Sequence, residues 1–101
     1  MVSFFYEEIE VLDEEYTAFA YMDSYTAFRN DDEKICWIDY DTFGYMSGVA
    51  KTPSAFLDCV YEFIKYRIYR DQTELDIFHK LVDISQCDDS EVFYKYLIGL
   101  D

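Results

Sequence analysis

The sequence predicts an α+β domain in which an antiparallel meander of about four strands precedes two to three helices packed on one sheet face. Before Thr52 the apolar residues alternate or form short aromatic and β-branched runs, whereas from Pro53 they recur every three or four residues. Strands that precede helices, instead of alternating with them, are typical of α+β folds. With 101 residues the chain has the length of one domain, expected over residues 1–101.

Two strands are predicted in the first 28 residues. Residues 2–12 mix apolar side chains with three glutamates, which fits a strand with one face in water. Residues 16–28 are aromatic, rich in threonine and roughly alternating, which favours a second strand over the whole segment.

A hairpin and a further strand follow. The polar segment 29–33 has the Asn/Asp composition of a turn, and residues 34–38 form a short β-prone run after it. A second turn is predicted at 39–42. Residues 43–50 then complete the meander, and their glycines are candidates for β-bulges.

The helical half begins at Thr52, which has the pattern of an N-cap followed by proline in the first turn and predicts a helix over residues 53–70. Its predicted core face comprises Phe56, Leu57, Val60, Phe63, Ile64 and Ile68. Substitution of Phe56 or Leu57 is therefore expected to unfold the domain.

Two more helices are expected. The first starts at Thr73, ends near Ser85 and is predicted to bury Leu75, Phe78, Leu81 and Val82. The other starts at Ser90 and ends before Gly99.

The net charge of the chain restricts the kinds of partner that it can bind. The chain has 22 Asp and Glu against eight Lys and Arg, a net charge of −14, and residues 1–50 hold 12 of the acids against two cations. Such a surface repels the phosphates of nucleic acids and of anionic membranes. The expected partner is therefore a basic surface on another protein, and an aromatic content of 21% argues that the acids lie on a folded body.

Signals for catalysis, cofactors or membrane insertion are weak. Three cysteines without a CxxC pair are expected in the core of a protein of the reducing cytoplasm. His79 is the only histidine and has no nucleophile at a suitable spacing, and no phosphate-binding loop or zinc motif is present. No apolar run reaches the ~20 residues of a membrane span. We therefore expect no catalytic residues, no cofactor and no bound metal.

The acidic residues of the first half are the candidate partner-binding surface. If the end of the first strand and the following hairpin turn meet in space, their carboxylates form one dense patch, with tyrosines as aromatic anchors. The candidate residues are Glu7, Glu8, Glu10, Asp13, Glu14, Glu15, Asp31, Asp32, Glu33, Asp39, Tyr40 and Asp41. Two other classes stay open: a small metal-dependent enzyme that uses Asp39 and Asp41, and a protein whose role is to form homo-oligomers.

In charge, size and aromatic content the chain resembles small acidic phage-encoded inhibitors of bacterial defence, the anti-CRISPR and antirestriction proteins that imitate DNA. That resemblance is one of character and has no diagnostic motif. It implies a viral protein that binds a CRISPR or restriction nuclease in the bacterial cytoplasm and blocks its nucleic-acid-binding surface.

A second resemblance rests on two segments, Glu33 to Asp41 (EKICWIDYD) and Val49 to Leu57 (VAKTPSAFL). They look like the end of a SUKH-type immunity domain, in which a strand ending in aspartate leads to another strand and then to a helix with a similar start. The likeness covers about residues 33–64, and the N-terminal helices of that superfamily have no counterpart here. It implies an immunity protein that neutralises a toxin, often a nuclease.

Overall fold

The computed structural model describes residues 3–21 and 23–100. Its elements are β1 (Ser3–Val11), β2 (Glu14–Tyr21), β3 (Tyr25–Arg29), β4 (Ile35–Ile38), β5 (Tyr45–Ala50), α1 (Pro53–Tyr69), α2 (Glu74–Ser85) and α3 (Glu91–Ile98). The predicted α+β class is confirmed, with an antiparallel sheet followed by three helices.

The sheet has five strands instead of about four, because the segment 16–28 is a tight hairpin and not one strand. Tyr21 of β2 pairs with Tyr25 of β3, and between them Asp23 adopts a positive φ of 64°. Aspartate tolerates this left-handed conformation better than most residues do. The alternation of aromatic and small residues continues on both sides of this connection, so the sequence pattern did not reveal the reversal. Met22 lies outside the described residues.

All neighbouring strands are antiparallel, in the order β1-β2-β3-β4-β5. In such a meander, successive connections alternate between the two ends of the sheet. The β1–β2 turn (residues 12–13) and the β3–β4 turn (residues 30–34) therefore lie at one end. The β4–β5 turn (residues 39–44) lies at the other end, together with the connection between β2 and β3.

The two faces of the sheet are buried differently. The helices cover the face that carries Phe28, Ile35, Trp37 and Val49, and these residues belong to the main hydrophobic core. On the opposite face a second cluster is formed by side chains of the strands themselves, including Ile9, Tyr16, Ala18, Tyr25, Ala27, Cys36 and Ile38. The register of β3 and β4 fixes this division, because Ala27 lies opposite Cys36 on one face and Thr26 lies opposite Trp37 on the other.

The starts of α1 and α2 agree with the capping signals, whereas the Ser90 side chain makes no capping hydrogen bond at the start of α3. Thr52 Oγ1 accepts a hydrogen bond from the backbone N–H of Ala55 at 3.1 Å, and Thr73 Oγ1 accepts one from Asp76 at 3.0 Å. Each bond satisfies a donor in the first helical turn. None of the helices in the described ranges combines the length and the apolar character needed to span a bilayer.

The predicted core faces of the helices need correction. In α1 the buried residues are Ala55, Cys59 and Tyr66, whereas Leu57, Val60, Ile64 and Ile68 are exposed and Phe56 and Phe63 are half-buried. Leu57 is 65% exposed, so the expectation that its substitution unfolds the domain does not hold. Periodicity misled because α1 carries apolar residues on more than one side. In α2, Leu75 is exposed because it lies to one side of the face that Ile77, Phe78 and Leu81 bury.

Three hydrogen bonds connect the helical layer to β5 and to Lys51, the residue that follows it. The backbone N–H of Lys51 donates to the Ser85 carbonyl at 2.8 Å, Ser47 Oγ donates to the Asp89 carbonyl at 3.0 Å, and the buried Tyr94 hydroxyl donates to the Val49 carbonyl at 2.7 Å. These bonds place the α2–α3 loop (residues 86–90) against the end of β5.

The contrast between two leucines of α2 gives a direct test of this packing. Leu81→Ala is expected to lower the free energy of unfolding by about 2–5 kcal/mol, because the side chain is fully buried and its loss leaves a cavity. Leu75→Ala is expected to change it by no more than about 0.5 kcal/mol, because that side chain is 56% exposed. Urea unfolding followed by circular dichroism measures both, and equal losses would contradict the described core.

Candidate functional site at the acidic end of the sheet

The β1–β2 and β3–β4 turns lie side by side. The backbone N–H of Asn30 donates to the Glu15 carbonyl at 2.9 Å, and Thr17 Oγ1 donates to Asn30 Oδ1 at 2.8 Å. The two acidic turns therefore lie at the same end of the sheet, and the carboxylates of the turns and of the adjoining strand ends are all exposed. We call this set the acidic end; its residues are Glu8, Glu10, Asp13, Glu14, Glu15, Asp31, Asp32 and Glu33. By strand alternation Glu8, Glu10 and Glu15 lie on the face that carries the helices. Glu14 lies on the opposite face, where it accepts a hydrogen bond from the Tyr16 hydroxyl.

Arg29 joins the two turns electrostatically. Its guanidinium makes a two-point contact with Asp32, with Nη2–Oδ2 and Nε–Oδ1 distances of 2.6 and 3.0 Å, and its Nη1 lies 3.3 Å from Glu14 Oε2. The hydrogen bonds from Arg29 lower the pKa of Asp32 to about 2. Arg29 thus compensates two carboxylates of the acidic end and fixes the spacing between the turns.

Like charges lie directly opposite each other between β1 and β2. Glu10 is the register partner of Glu15. Side chains at such positions are about 4.5–5.5 Å apart at Cβ, and like charges there are destabilising. An open depression of about 190 Å³ is lined by Glu10 and Glu15 together with Glu8, Ile9 and Asn30. The strands therefore present three carboxylates around one shallow hollow.

An apolar side chain protrudes from the tip of the same hairpin. Leu12 is 88% exposed, and Leu12 and Asp13 both have positive φ angles, of 50° and 66°. Two-residue hairpin turns of this kind favour Asn or Gly, because the left-handed conformation is strained for a side chain such as leucine. The residue at this position thus costs stability in the isolated protein.

The acidic surface continues toward the helices. Asp32, Lys34, Lys51, Gln86, Cys87, Asp88 and Asp89 line an open hollow of about 490 Å³. Lys34 Nζ lies 3.5 Å from Asp89 Oδ1, and the Tyr45 hydroxyl donates to Asp89 Oδ2. Burial opposes ionisation of Asp89, but hydrogen bonds from Tyr45 and Cys87, together with the charge of Lys34, lower its pKa to about 2.

Four of the predicted site residues lie elsewhere. Glu7 is on the opposite face of β1, where its carboxylate accepts a hydrogen bond from the Tyr25 hydroxyl at 2.8 Å. Asp39, Tyr40 and Asp41 belong to the turn at the far end of the sheet. Tyr40 is half-exposed, and its ring packs 5.4 Å from that of Tyr25.

The Asp39 carboxylate stabilises its own turn. Its Oδ1 accepts hydrogen bonds from the backbone N–H groups of Asp41 and Thr42 at 2.8 and 3.1 Å, and these bonds lower the pKa of Asp39. Within residues 3–21 and 23–100, no group of three or more His, Cys, Asp or Glu side chains is arranged to hold a metal ion.

The structure thus brings eight of the twelve predicted site residues to one end of the sheet, on both of its faces, and places four elsewhere. Sequence reasoning missed Arg29 as the link between the turns and Leu12 as the exposed tip. A leucine between a strand and the acidic run 13–15 was the available signal for that tip.

No protein-family model matches the chain, and no curated protein or solved structure is significantly similar to it. The two resemblances noted in the sequence therefore stay predictions.

We expect Arg29→Gln to lower the free energy of unfolding by about 1 kcal/mol at pH 7, because it leaves the half-exposed Glu14 and Asp32 carboxylates uncompensated. The folded-state pKa of Asp32 lies below its ordinary value of 3.8, so the pair contributes stability above about pH 4 and loses it as the pH falls toward 2. Urea unfolding at pH 7 and pH 2.5 should show the difference from wild type shrinking in acid. The exposed Arg67→Gln serves as control, and a difference that persists at pH 2.5 would contradict the ion-pair account.

Replacement of Leu12 tests the strain at the hairpin tip. Leu12→Asn should stabilise the protein by about 1 kcal/mol, because asparagine tolerates a positive φ, whereas Leu12→Ala should give no such gain. Thermal unfolding is the measurement, and a gain of this size corresponds to roughly 4 °C or more in Tm. Equal Tm values for Leu12→Asn and Leu12→Ala would show that backbone strain is negligible there.

Proposed function

We propose that the protein is an acidic inhibitor that binds the basic nucleic-acid-binding surface of a defence nuclease of the CRISPR or restriction type, and so excludes the nucleic acid. The observation that carries the proposal is the set of like charges that the two adjacent turns hold together at the acidic end. Glu10 and Glu15 are opposed in the sheet, although such pairs cost stability. A cationic side chain of a partner would be attracted to both carboxylates and would offset the repulsion between them.

The depression between β1 and β2 suits one cationic side chain of the partner. Its three carboxylates belong to Glu8, Glu10 and Glu15, and its volume of about 190 Å³ is sufficient for the end of an arginine or lysine. Guanidinium groups form strong paired hydrogen bonds with carboxylates. The same groups of a nuclease would otherwise hold phosphates, so their capture blocks nucleic acid without any catalysis.

Leu12 supplies an apolar contact amid these charges. Binding interfaces gain most of their affinity from a few side chains that become fully desolvated. A leucine that is 88% exposed and held in a strained conformation is suited to such a role, because its apolar surface is buried only in a complex. The surrounding carboxylates provide long-range attraction, which raises association rates above the ~10⁵–10⁶ M⁻¹s⁻¹ typical of neutral partners.

The first experiment captures partners on the tagged protein from lysates that contain candidate nucleases, with washes of rising salt and identification by mass spectrometry. The recovered nuclease is then purified, and its DNA or RNA binding is measured with and without the protein. A nuclease whose recovery falls with salt and whose nucleic-acid binding is blocked is the expected result. Recovery of a toxin nuclease would assign the same surface to an immunity protein instead.

Two variants of equal charge locate the interface. Asp13→Asn, Asp31→Asn, Glu33→Gln neutralises the acidic end, and Asp71→Asn, Asp83→Asn, Glu91→Gln removes the same number and type of exposed acids from the helical half. The first variant should associate with the nuclease about tenfold more slowly at low salt and with a shallower salt dependence. The second should differ little from wild type. Equal slowing in both variants would mean that net charge alone, and not the acidic end, governs binding.

A further inference from the structure

The outer surface of α1 carries an apolar stripe on the side opposite its buried residues. Leu57, Tyr61, Ile64 and Ile68 are 65, 63, 49 and 67% exposed. Their spacing of four, three and four residues places them in one line along the helix. A surface helix normally presents polar residues on its outer side, so this stripe is unusual for an unpartnered helix.

The spacing is that of a coiled-coil seam. In a heptad repeat the a and d positions alternate by three and four residues, which Leu57, Tyr61, Ile64 and Ile68 reproduce as d, a, d and a. The residues that hold α1 in the core, Ala55, Cys59 and Tyr66, lie on the reverse side of the helix. The stripe thus serves no purpose in the packing of its own domain, and we call it the α1 seam.

Charges beside the seam indicate what covers it. Asp58 and Lys65 flank it on the same side. Within the part of the chain that the structure describes, Asp58 forms no ion pair, and Lys65 contacts the Glu62 carboxylate of its own helix at 3.4 Å with its side chain 44% exposed. If a second α1 packs antiparallel about a twofold axis between Tyr61 and Ile64, Asp58 of each copy faces Lys65 of the other.

A parallel arrangement lacks this complementarity. It brings identical residues to the same level, so the Lys65 and Arg67 side chains of both copies come together. The antiparallel arrangement matches Leu57 with Ile68 and Tyr61 with Ile64 of the second copy. The charge pattern therefore selects one orientation for a self-complementary, isologous contact.

We propose that two copies of this chain form a symmetric dimer through antiparallel packing of their α1 seams. Stable interfaces usually bury about 800 Å² per partner, which is more than a single seam provides. The seam continues into a neighbouring apolar groove of about 450 Å³, and the proposed contact includes this groove. Leu57, Val60, Phe56 and Phe63 of α1 line it, together with Phe4, which is 81% exposed.

The test is sedimentation velocity at several protein concentrations in about 0.15 M salt, where the Debye length of about 8 Å screens the repulsion between two acidic molecules. The wild type should approach twice the mass of the 12.1 kDa chain as its concentration rises. Ile64→Lys should weaken association at least tenfold while its circular dichroism spectrum and Tm at low concentration stay near those of wild type, because the side chain is half-exposed in the single chain.

Charge exchange decides the orientation. Asp58→Lys alone and Lys65→Asp alone should each dimerise at least tenfold more weakly, because each places like charges opposite each other twice. An equimolar mixture of the two variants should dimerise again, since the lysine introduced in one variant then faces the aspartate introduced in the other. Asp83→Lys, an exposed site on α2 with the same charge change, should leave dimerisation unaffected.

Several outcomes would overturn the proposal. A wild-type protein that stays monomeric to about 0.5 mM excludes the dimer, and dimers that survive Ile64→Lys place the contact elsewhere. Failure of the mixed variants to associate excludes the antiparallel pairing. Binding of the monomer to detergent micelles, lost in Ile64→Lys, would assign the seam to an apolar ligand instead.

Discussion

The arrangement of the molecule depends on the contact between β5 and the loop that joins α2 to α3. Gly48 makes this contact possible: a Cβ at that position would overlap Cys87 Sγ and Asp89 Oδ1. The absence of a side chain lets the loop lie directly on the strand, where Ser47 Oγ reaches the Asp89 carbonyl. Three hydrogen bonds that involve backbone groups of this region orient the helical layer over the sheet. On the sheet side, Lys34 Nζ and the Tyr45 hydroxyl contact each other, and both contact the Asp89 carboxylate.

The acidic end follows from topology more than from any single residue. A five-stranded meander brings alternate turns to the same end, so two acidic segments that are about 20 residues apart in sequence become neighbours. Repulsion between them is opposed by Arg29, which contacts both Glu14 and Asp32. The hydrogen bond from Asn30 to the Glu15 carbonyl is independent of charge and keeps the turns in register. The backbone hydrogen bond between the turns thus keeps their carboxylates close together although these carboxylates repel each other.

The sequence allowed the class of fold, all three helices and the order of strand and helix regions to be predicted, because capping residues and periodicity are local signals. It did not reveal the reversal at residues 22–24, where aromatic alternation runs through the turn. It also assigned the wrong face of α1 to the core, since a helix with apolar residues on several sides has no unique buried face. The sequence allowed only the hypothesis that the end of the first strand and the turn at residues 31–33 meet, and the opposition of Glu10 and Glu15 became visible only in the strand register. Arg29 escaped notice as the link between the turns because its contact with Glu14 is defined only by strand pairing, whereas its contact with Asp32 is local.

The acidic end and the α1 seam lie on different parts of the surface, and their geometry connects the two proposals. The helix α1 starts just after β5, at the same end of the sheet as the acidic turns, and its 17 residues span about 25 Å. An antiparallel pair of α1 helices places the two helix starts, and the sheet end next to each of them, at opposite ends of the pair. Duplex nucleic acid carries one negative charge per ~1.7 Å of axis over long distances, which one compact end of a sheet cannot match. Two ends held apart by a rigid helix pair could each occupy a separate basic site, so the second contact would form at high effective concentration. Dimerisation would then raise the affinity for an extended or symmetric basic partner without any additional carboxylate in the sequence.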